Sequence, residues 1–185
     1  MPKISQKDIL SRLLDSRTRD LAFAQLISQY KEPLYWHVRG IVLIHEDADD
    51  VVQNTFIKIF KNLHKFKGQS KLYTWMFRIA TNEALTHLKK SKKHKAQSLN
   101  DECNELSNTE LTADPHFNGE HAKAMLTQII ITLPLRQRTI FNMRYFQDMK
   151  FKDIAEILEL SLGGVKSSYH IAQKKIKNHI VNKTF

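Results

Sequence analysis

Four titratable side chains lie close together in the first half of the chain: His45, Asp47, Asp49 and Asp50. Carboxylate oxygens and imidazole nitrogens bind divalent cations, so a metal-dependent nuclease is one function that these residue types could serve. Asp49 and Asp50 are adjacent, however, and adjacent residues point about 100° apart on a helix. No nucleophile or general base accompanies them. The pattern therefore argues against an enzyme, and we expect no metal, no cofactor and no small-molecule substrate.

The remaining histidines and the single cysteine give no sign of a metal site. His37, His64, His87, His94, His116, His121 and His179 show no close paired spacing of the metalloprotease type. Cys103 has no second cysteine with which to form an internal disulfide or a zinc site. We interpret these residues as surface or packing residues.

Residues 66–95 place aromatic rings beside cations and end in a lysine-rich run. Rings that face outward could stack on unpaired bases, and the cations could follow phosphates. Helical spacing predicts a core-facing stripe of Leu72, Trp75, Met76, Ile79, Ala80 and Leu88. The same spacing places Thr74, Arg78, Asn82 and Lys89 on the opposite face, with Tyr73 and Phe77 off the stripe and available for stacking.

Length and charge are consistent with a nucleic-acid partner. The 185 residues carry a formal net charge of +10, which favours a polyanion, with nucleic acid ahead of an anionic membrane surface. No apolar run approaches the roughly 18 residues of a membrane-spanning helix, and the first residues are too polar for a signal peptide. We expect a soluble, cytoplasmic protein.

The chain reads as all-helical, with two small helical domains. Only five glycines and four prolines interrupt it, and apolar residues return every three or four positions. The exception is the segment 97–120, where acids accumulate without lysine or arginine. We therefore predict domains at 1–95 and 121–185, joined by an acidic flexible linker at 96–120.

Residues 45–66 predict an amphipathic helix that begins with acids. Its apolar positions are Ala48, Val51, Val52, Phe56, Ile59, Phe60 and Leu63. Carboxylates in the first turn are favoured by the helix dipole, which is sufficient to explain them structurally. The outer face then presents Asp50, Gln53, Asn54 and Ile57, a mixture typical of a protein contact.

The C-terminal part predicts a helix-turn-helix. The segment KFKDIAEIL at 150–158 predicts a short helix with Ile154, Ala155, Ile157 and Leu158 on its packed face, and Ser161 can cap the helix that follows. In that last helix Val165, Tyr169, Ala172 and Ile176 face inward, which turns Lys166, Ser167, His170, Gln173, Lys174 and Lys177 outward. Such a face suits the major groove of DNA, although an ordinary helical hairpin with a basic surface would share it.

Three segments together resemble the sigma-70 family of bacterial RNA polymerase sigma factors, in particular its small two-domain extracytoplasmic-function (ECF) group. They are DADDVVQNTFIKIF at 47–60, LYTWMFRIATNEALTHLKK at 72–90 and IAEILELSLGGVKSSYHIAQKKI at 154–176. The resemblance covers nearly the whole chain. It implies a sigma2-type helical bundle followed by a sigma4-type helix-turn-helix domain, in a protein that binds core polymerase, directs it to promoters and promotes melting.

The resemblance also implies roles for particular residues. Polymerase contacts, to the clamp helices of the largest subunit, would be Asp49, Asp50, Gln53, Asn54 and Ile57, with Phe56 packed inside. Contacts to the minus-ten element, where the strands open, would be Lys67, Lys71, Tyr73, Arg78, Asn82 and Lys89. Contacts to the minus-thirty-five element would be Lys166, Ser167, His170 and Lys174.

Further partners follow from the same resemblance. The C-terminal domain would dock on the flap of the second-largest subunit, the linker would thread the active-site cleft, and an anti-sigma factor would hold the protein inactive. The alternative functions are a stand-alone helix-turn-helix regulator, which would bind duplex operators without polymerase, and the nuclease considered above.

Some positions depart from the family's pattern. Gly164 stands where the family usually has threonine, and Glu159 replaces a frequent turn glycine. Ser168, Ile171 and Gln173 occupy positions often held by arginine. These departures lead us to expect base and phosphate contacts that differ from those of other members.

Overall fold

The computed structural model describes residues 6–98 and 121–183, and every regular element within these ranges is a helix. The α-helices are α1 (Gln6–Leu14), α2 (Arg19–Val42), α3 (His45–Asn62), α4 (Leu72–Ser98), α5 (His121–Ile131), α6 (Leu135–Tyr145), α7 (Phe151–Leu158) and α8 (Leu162–Lys183). A short 3₁₀ helix, Leu63–Lys65, follows α3. The all-helical class predicted from the sequence is confirmed for these residues.

The chain divides into two compact units. The first contains Met1–His87 and Glu156–Leu158, and the second contains Leu88–Ala155 and Glu159–Phe185. Helix α4 extends as far as Ser98, into the range assigned to the linker. The rest of the predicted linker, with its acids and Cys103, lies outside the described residues. The domain boundaries drawn from the sequence stay predictions.

The first unit is built on α2 and α3, whose apolar faces pack together. Burial is nearly complete for Leu26, Leu34, Val38, Ile41, Ala48, Val51, Val52 and Ile59. Arg19 ties the start of α2 to the end of α3, since its guanidinium donates to the Phe60 carbonyl oxygen at 3.1 Å and lies over the Phe60 ring. These contacts leave the far side of α3 facing solvent.

A tight corner joins α2 to α3. Leu43 adopts a left-handed conformation, φ 70°, and its N–H donates to the Arg39 carbonyl oxygen at 3.0 Å. Ile44 is extended, so α3 begins at His45. The Tyr35 hydroxyl and His45 Nδ1 are hydrogen-bonded at 2.7 Å. The corner therefore fixes the direction in which the acidic first turn of α3 points.

The inner face of α4 differs from the stripe expected. Leu72, Met76 and Ala80 are buried as predicted, but Trp75, Ile79 and Leu88 are only partly buried. Thr74 and Phe77 are 0% and 1% exposed, so the prediction that they lie outside the core is wrong. Because Ala80, Thr81 and Ala84 are small, their side of α4 packs closely, and the buried face is rotated toward Phe77.

The second unit packs α5 and α6 against α8. Its core contains Ile129, Ile130, Leu133, Phe141, Ala172 and Ile176, with Leu126 and Tyr169 packed against it. Arg138 is also buried, and it donates to the Ile131 carbonyl oxygen at 3.1 Å, where it satisfies the end of α5. Burial lowers the pKa of the Arg138 guanidinium from its usual value, because the charged group loses hydration there. The effect of this packing is to hold α8 by one face only.

No helix in the described part of the chain is long and apolar enough to cross a membrane.

Candidate protein-binding and nucleic-acid-binding surfaces

The outward side of α3 carries Asp50, Gln53, Asn54 and Ile57, as the sequence predicted. All four are exposed, and Ile57 keeps 51% of its surface accessible. Their spacing of three and four residues places them on one face, which we call the α3 face. Phe56 is 7% exposed and belongs to the core on the opposite side, as expected. The α3 face is therefore a mixed polar and apolar surface on a helix whose opposite side is packed in the core.

Two other acids of α3, Asp47 and Asp49, are engaged within the first unit. Asp47 Oδ1 lies 3.1 Å from His87 Nε2 on α4, and Asp49 Oδ2 lies 3.6 Å from His45 Nε2. No group of three or more metal-ligating side chains occurs among the described residues. Asp49 remains half-exposed beside the α3 face.

The loop before α4 and the first turns of α4 hold the residues predicted to contact the minus-ten element. Lys67 and Lys71 are exposed on either side of Gly68, whose φ of 70° is readily adopted by glycine. Phe66 packs on Trp75, with ring centroids 5.3 Å apart, which holds the loop against the helix. The lysines are thus presented on an anchored loop.

The predicted α4 contacts are presented to different degrees. Asn82 and Lys89 are exposed, whereas Arg78 and Tyr73 are half-buried. The Tyr73 ring lies 4.7 Å from that of Phe77, which is itself buried. Tyr73 is therefore the ring of this pair that retains accessible surface for stacking on a base.

The beginning of α8 is capped as the sequence predicted. Ser161 Oγ accepts a hydrogen bond from the Gly164 N–H at 3.1 Å, and the Ser161 carbonyl oxygen accepts one from the Val165 N–H at 3.0 Å. The residue that ends α7, Glu159, is left-handed with φ 55°. The turn therefore adopts a conformation that usually requires glycine, although a glutamate occupies it.

One side of α8 is buried, and the other is basic and exposed. Val165 and Ala172 are 0% exposed and Ile176 is 6% exposed, whereas Lys166, Ser167, His170 and Lys174 are all exposed. The prediction of which residues face outward is confirmed. Ile171, which the sequence marked as a departure from a frequent arginine but for which no contact was predicted, is 45% exposed on the same side.

Two family models match the chain in the order expected. Residues 26–94 match Sigma-70 region 2, and residues 123–176 match Sigma-70, region 4. The RNA polymerase sigma-H factor of Pseudomonas aeruginosa is 30% identical over 173 residues, which cover 84% of this chain and 84% of the relative. The ECF RNA polymerase sigma-E factor of Haemophilus influenzae is 29% identical over 169 residues, with coverage of 86% and 87%.

Two solved structures share the fold. The sigma factor RpoE in complex with the anti-sigma factor NepR, from Bartonella quintana, gives a TM-score of 0.71 at 20% identity and covers 84% of this chain and 94% of its own. CnrH in complex with the cytosolic domain of CnrY gives a TM-score of 0.66 at 20% identity, with coverage of 96% and 95%. The chain belongs to the ECF group of the sigma-70 family, as a non-enzymatic RNA polymerase sigma factor that directs promoter-specific transcription initiation.

Proposed function

We propose that the α3 face binds the clamp helices in the largest subunit of core RNA polymerase. The observation that carries this proposal is Ile57, an isoleucine half-exposed between acids and amides on a helix whose other side is buried. An apolar side chain surrounded by polar groups is the usual composition of a protein contact. Asp49 lies at the edge of this face, and its Oδ2 is 3.6 Å from His45 Nε2.

The loop before α4 and α4 itself would act on the minus-ten element. Lys67, Lys71, Arg78, Asn82 and Lys89 would follow the sugar-phosphate backbone, and Tyr73 would stack on a base once the strands separate. Removing a base from the duplex stack requires a few kcal/mol, which stacking and phosphate contacts can offset. The exposure of the lysines and the accessible ring of Tyr73 support this assignment.

The basic side of α8 would read the minus-thirty-five element in the major groove. Lys166, Ser167 and His170 lie nearest the helix start and are suited to base edges, whereas Lys174 is suited to phosphate. The unit that carries α8 would dock on the flap of the second-largest subunit. Transcription initiation takes place in the cytoplasm of bacteria, and we propose that the protein is located there.

An anti-sigma factor is a further proposed partner. One structurally similar protein is a sigma factor bound to an anti-sigma factor. A partner that covered the α3 face and the DNA-reading side of α8 would block both functions directly.

The acids of the segment 97–120, which lies largely outside the described residues, would occupy basic surfaces of the polymerase cleft until RNA displaces them.

The experiment that tests the proposal is transcription from genomic fragments by core bacterial polymerase supplemented with the full chain. The variant Asp50→Arg, Gln53→Ala alters the α3 face, and Glu32→Arg reverses an exposed acid of α2 as a matched control. We expect discrete starts with the wild type and the control, and loss of both starts and co-elution with core in the variant.

Other outcomes would identify a different function or a different contact. If the wild type neither co-elutes with core nor produces starts, but retains duplex fragments alone, the stand-alone regulator becomes the better description. If the α3 variant still co-elutes with core as the control does, the α3 face is not the polymerase contact.

A further inference from the structure

The outward side of α8 contains an apolar residue among polar ones. Ser167, Ile171 and Lys174 follow one another at spacings of four and three residues, and they share one exposed face of the helix with His170. Ile171 keeps 45% of its surface accessible, while Val165 and Ala172 on the opposite side are completely buried. The core of the second unit therefore does not include Ile171, and the side chain of Ile171 is available to a partner of α8.

The composition of α8 narrows what such a side chain could recognise. No arginine occurs between Leu162 and Lys183, so the planar guanidinium fork is absent from the helix and any contact with guanine in the major groove would have to come from a lysine. An isoleucine can neither donate nor accept a hydrogen bond. The apolar group that base edges offer in the major groove is the 5-methyl of thymine.

The shape of isoleucine suits this task. Branching at Cβ restricts its first side-chain torsion in a helix, so little conformational freedom remains to be lost on contact. Its neighbour His170 and the residue one turn earlier, Ser167, are both exposed polar side chains that can hydrogen-bond to adjoining base edges. The apolar contact of Ile171, flanked by the polar contacts of these two residues, would then distinguish a base pair that carries a methyl group from one that does not.

We propose that Ile171 packs against a thymine methyl in the minus-thirty-five element and thereby selects an A·T pair at one position. This inference rests on the proposed role of α8 as the reader of that element. It assigns specificity to a residue whose exposure on the domain itself has no structural explanation.

Deoxyuridine provides a direct test, because it differs from thymine only by the methyl group. Each thymine of the upstream element, on either strand, is replaced in turn in a promoter obtained from the genomic-fragment experiment, and holoenzyme affinity is measured. At one position we expect about a fourfold loss with the wild type, the factor for one buried methyl group. With Ile171→Ala the same replacement should have no further effect.

Two further variants make the test specific. Val181→Ala removes a similarly exposed apolar side chain, 46% accessible, from a later turn of α8 and should leave the deoxyuridine effect unchanged. Ile171→Arg should shift the preference at the sensitive position from A·T to G·C, since arginine reads guanine. Thermal unfolding of each variant checks that the exposed substitutions leave the fold intact.

The outcomes separate this inference from the proposed role of α8. If Lys166→Ala weakens binding in an element-dependent way but no thymine responds to deoxyuridine, or if Ile171→Ala keeps the full penalty, α8 reads DNA and the inference is wrong. If replacing the whole upstream element affects neither the wild type nor Lys166→Ala, the assignment of α8 itself fails and the inference fails with it.

Discussion

His37 Nε2 lies 2.8 Å from Thr81 Oγ1, in a buried hydrogen bond that joins α2 to α4. The Thr81 hydroxyl donates its one proton to the Phe77 carbonyl oxygen, also at 2.8 Å. The imidazole must therefore donate from Nε2, as a neutral ring. Burial lowers the pKa of His37 from 6.5 to about 3, because the charged ring would lose its hydration there.

This lowered pKa makes stability depend on pH. The unfolded chain protonates His37 near pH 6.5, whereas the folded chain does not until about pH 3. The neutral ring's contribution is thus fully present above the unfolded pKa and is lost as the pH falls from 6.5 toward 3. His37→Gln keeps a donor for Thr81 and cannot ionise. Between pH 7 and 5 we expect the free energy of unfolding to fall by about 2 kcal/mol more in the wild type than in this variant.

Urea denaturation at a series of pH values measures this difference. His64→Gln removes an exposed histidine of the same unit and should follow the wild-type curve. Parallel curves for the wild type and His37→Gln would contradict the prediction.

The exposed isoleucine of the α3 face should contribute to polymerase affinity rather than to folding. Ile57→Ala removes a side chain that is 51% exposed, so we expect the free energy of unfolding to change by less than about 0.5 kcal/mol. Its loss from a contact with core polymerase should weaken binding about tenfold, as for a central interface residue. Fluorescence titration of labelled core polymerase measures the affinity of the wild type and of Ile57→Ala.

Leu21→Ala is the matched control for Ile57→Ala. Leu21 is 61% exposed and belongs to α2, not to the α3 face. Its truncation should leave the affinity for core polymerase unchanged. Equal losses in the two variants would indicate a general effect of exposed apolar residues and not a specific contact.

Sequence periodicity predicted α3 and α8 well because each has one strongly apolar side. Ala48, Val51, Val52 and Phe56 leave little choice of inner face, and Ser161 marks where α8 begins. In α4, apolar and small residues occur around much of the helix, so more than one stripe fits. Tertiary packing selected the one that contains Phe77, and it buried the hydroxyl-bearing Thr74, whose type suggests a surface position.

Other features of the fold are not indicated by the types of the residues that adopt them. Leu43 and Glu159 adopt left-handed conformations, yet neither residue type favours positive φ, so the corners they form could not be predicted from their identity. Their conformations are imposed by the helices on either side.

Substitutions at Phe77 and Tyr73 should separate an effect on folding from an effect on DNA opening. Phe77→Ala empties a position that is 1% exposed and should lower the free energy of unfolding by about 3–5 kcal/mol. Tyr73→Ala should lower it less, because Tyr73 is half-buried, and should reduce promoter opening while the protein remains folded. Permanganate reactivity of unpaired thymines measures opening, and urea denaturation measures stability.

Tyr73→Phe is the control in which the ring is retained. If Tyr73 acts by stacking, this variant should open promoters nearly as well as the wild type. Full opening by Tyr73→Ala under conditions where it is folded would exclude a stacking role.

The turn between α7 and α8 offers a stabilising substitution. Glu159 has a φ of 55°, a conformation that is unfavourable by about 1 kcal/mol for residues with a Cβ and easily adopted by glycine. We therefore expect Glu159→Gly to raise the free energy of unfolding by about 1 kcal/mol. Lys152→Gly, at an exposed position within α7, should lower it by about the same amount. A loss of stability in Glu159→Gly would show that interactions of the glutamate side chain outweigh the backbone strain.

The two glycines at the start of α8 should respond differently to the same substitution. A Cβ at Gly163 would meet nothing within 4 Å, so Gly163→Ala should gain up to about 1 kcal/mol from the better helix propensity of alanine. A Cβ at Gly164 would lie 3.0 Å from Ser161 Oγ and 3.2 Å from Arg136 Nη2, so Gly164→Ala must displace the hydroxyl that caps the helix. Because losing such a cap costs about 1 kcal/mol, the propensity gain should be cancelled. Thermal unfolding of the two variants checks this difference, and equal stabilisation of both would mean that the cap adjusts without loss.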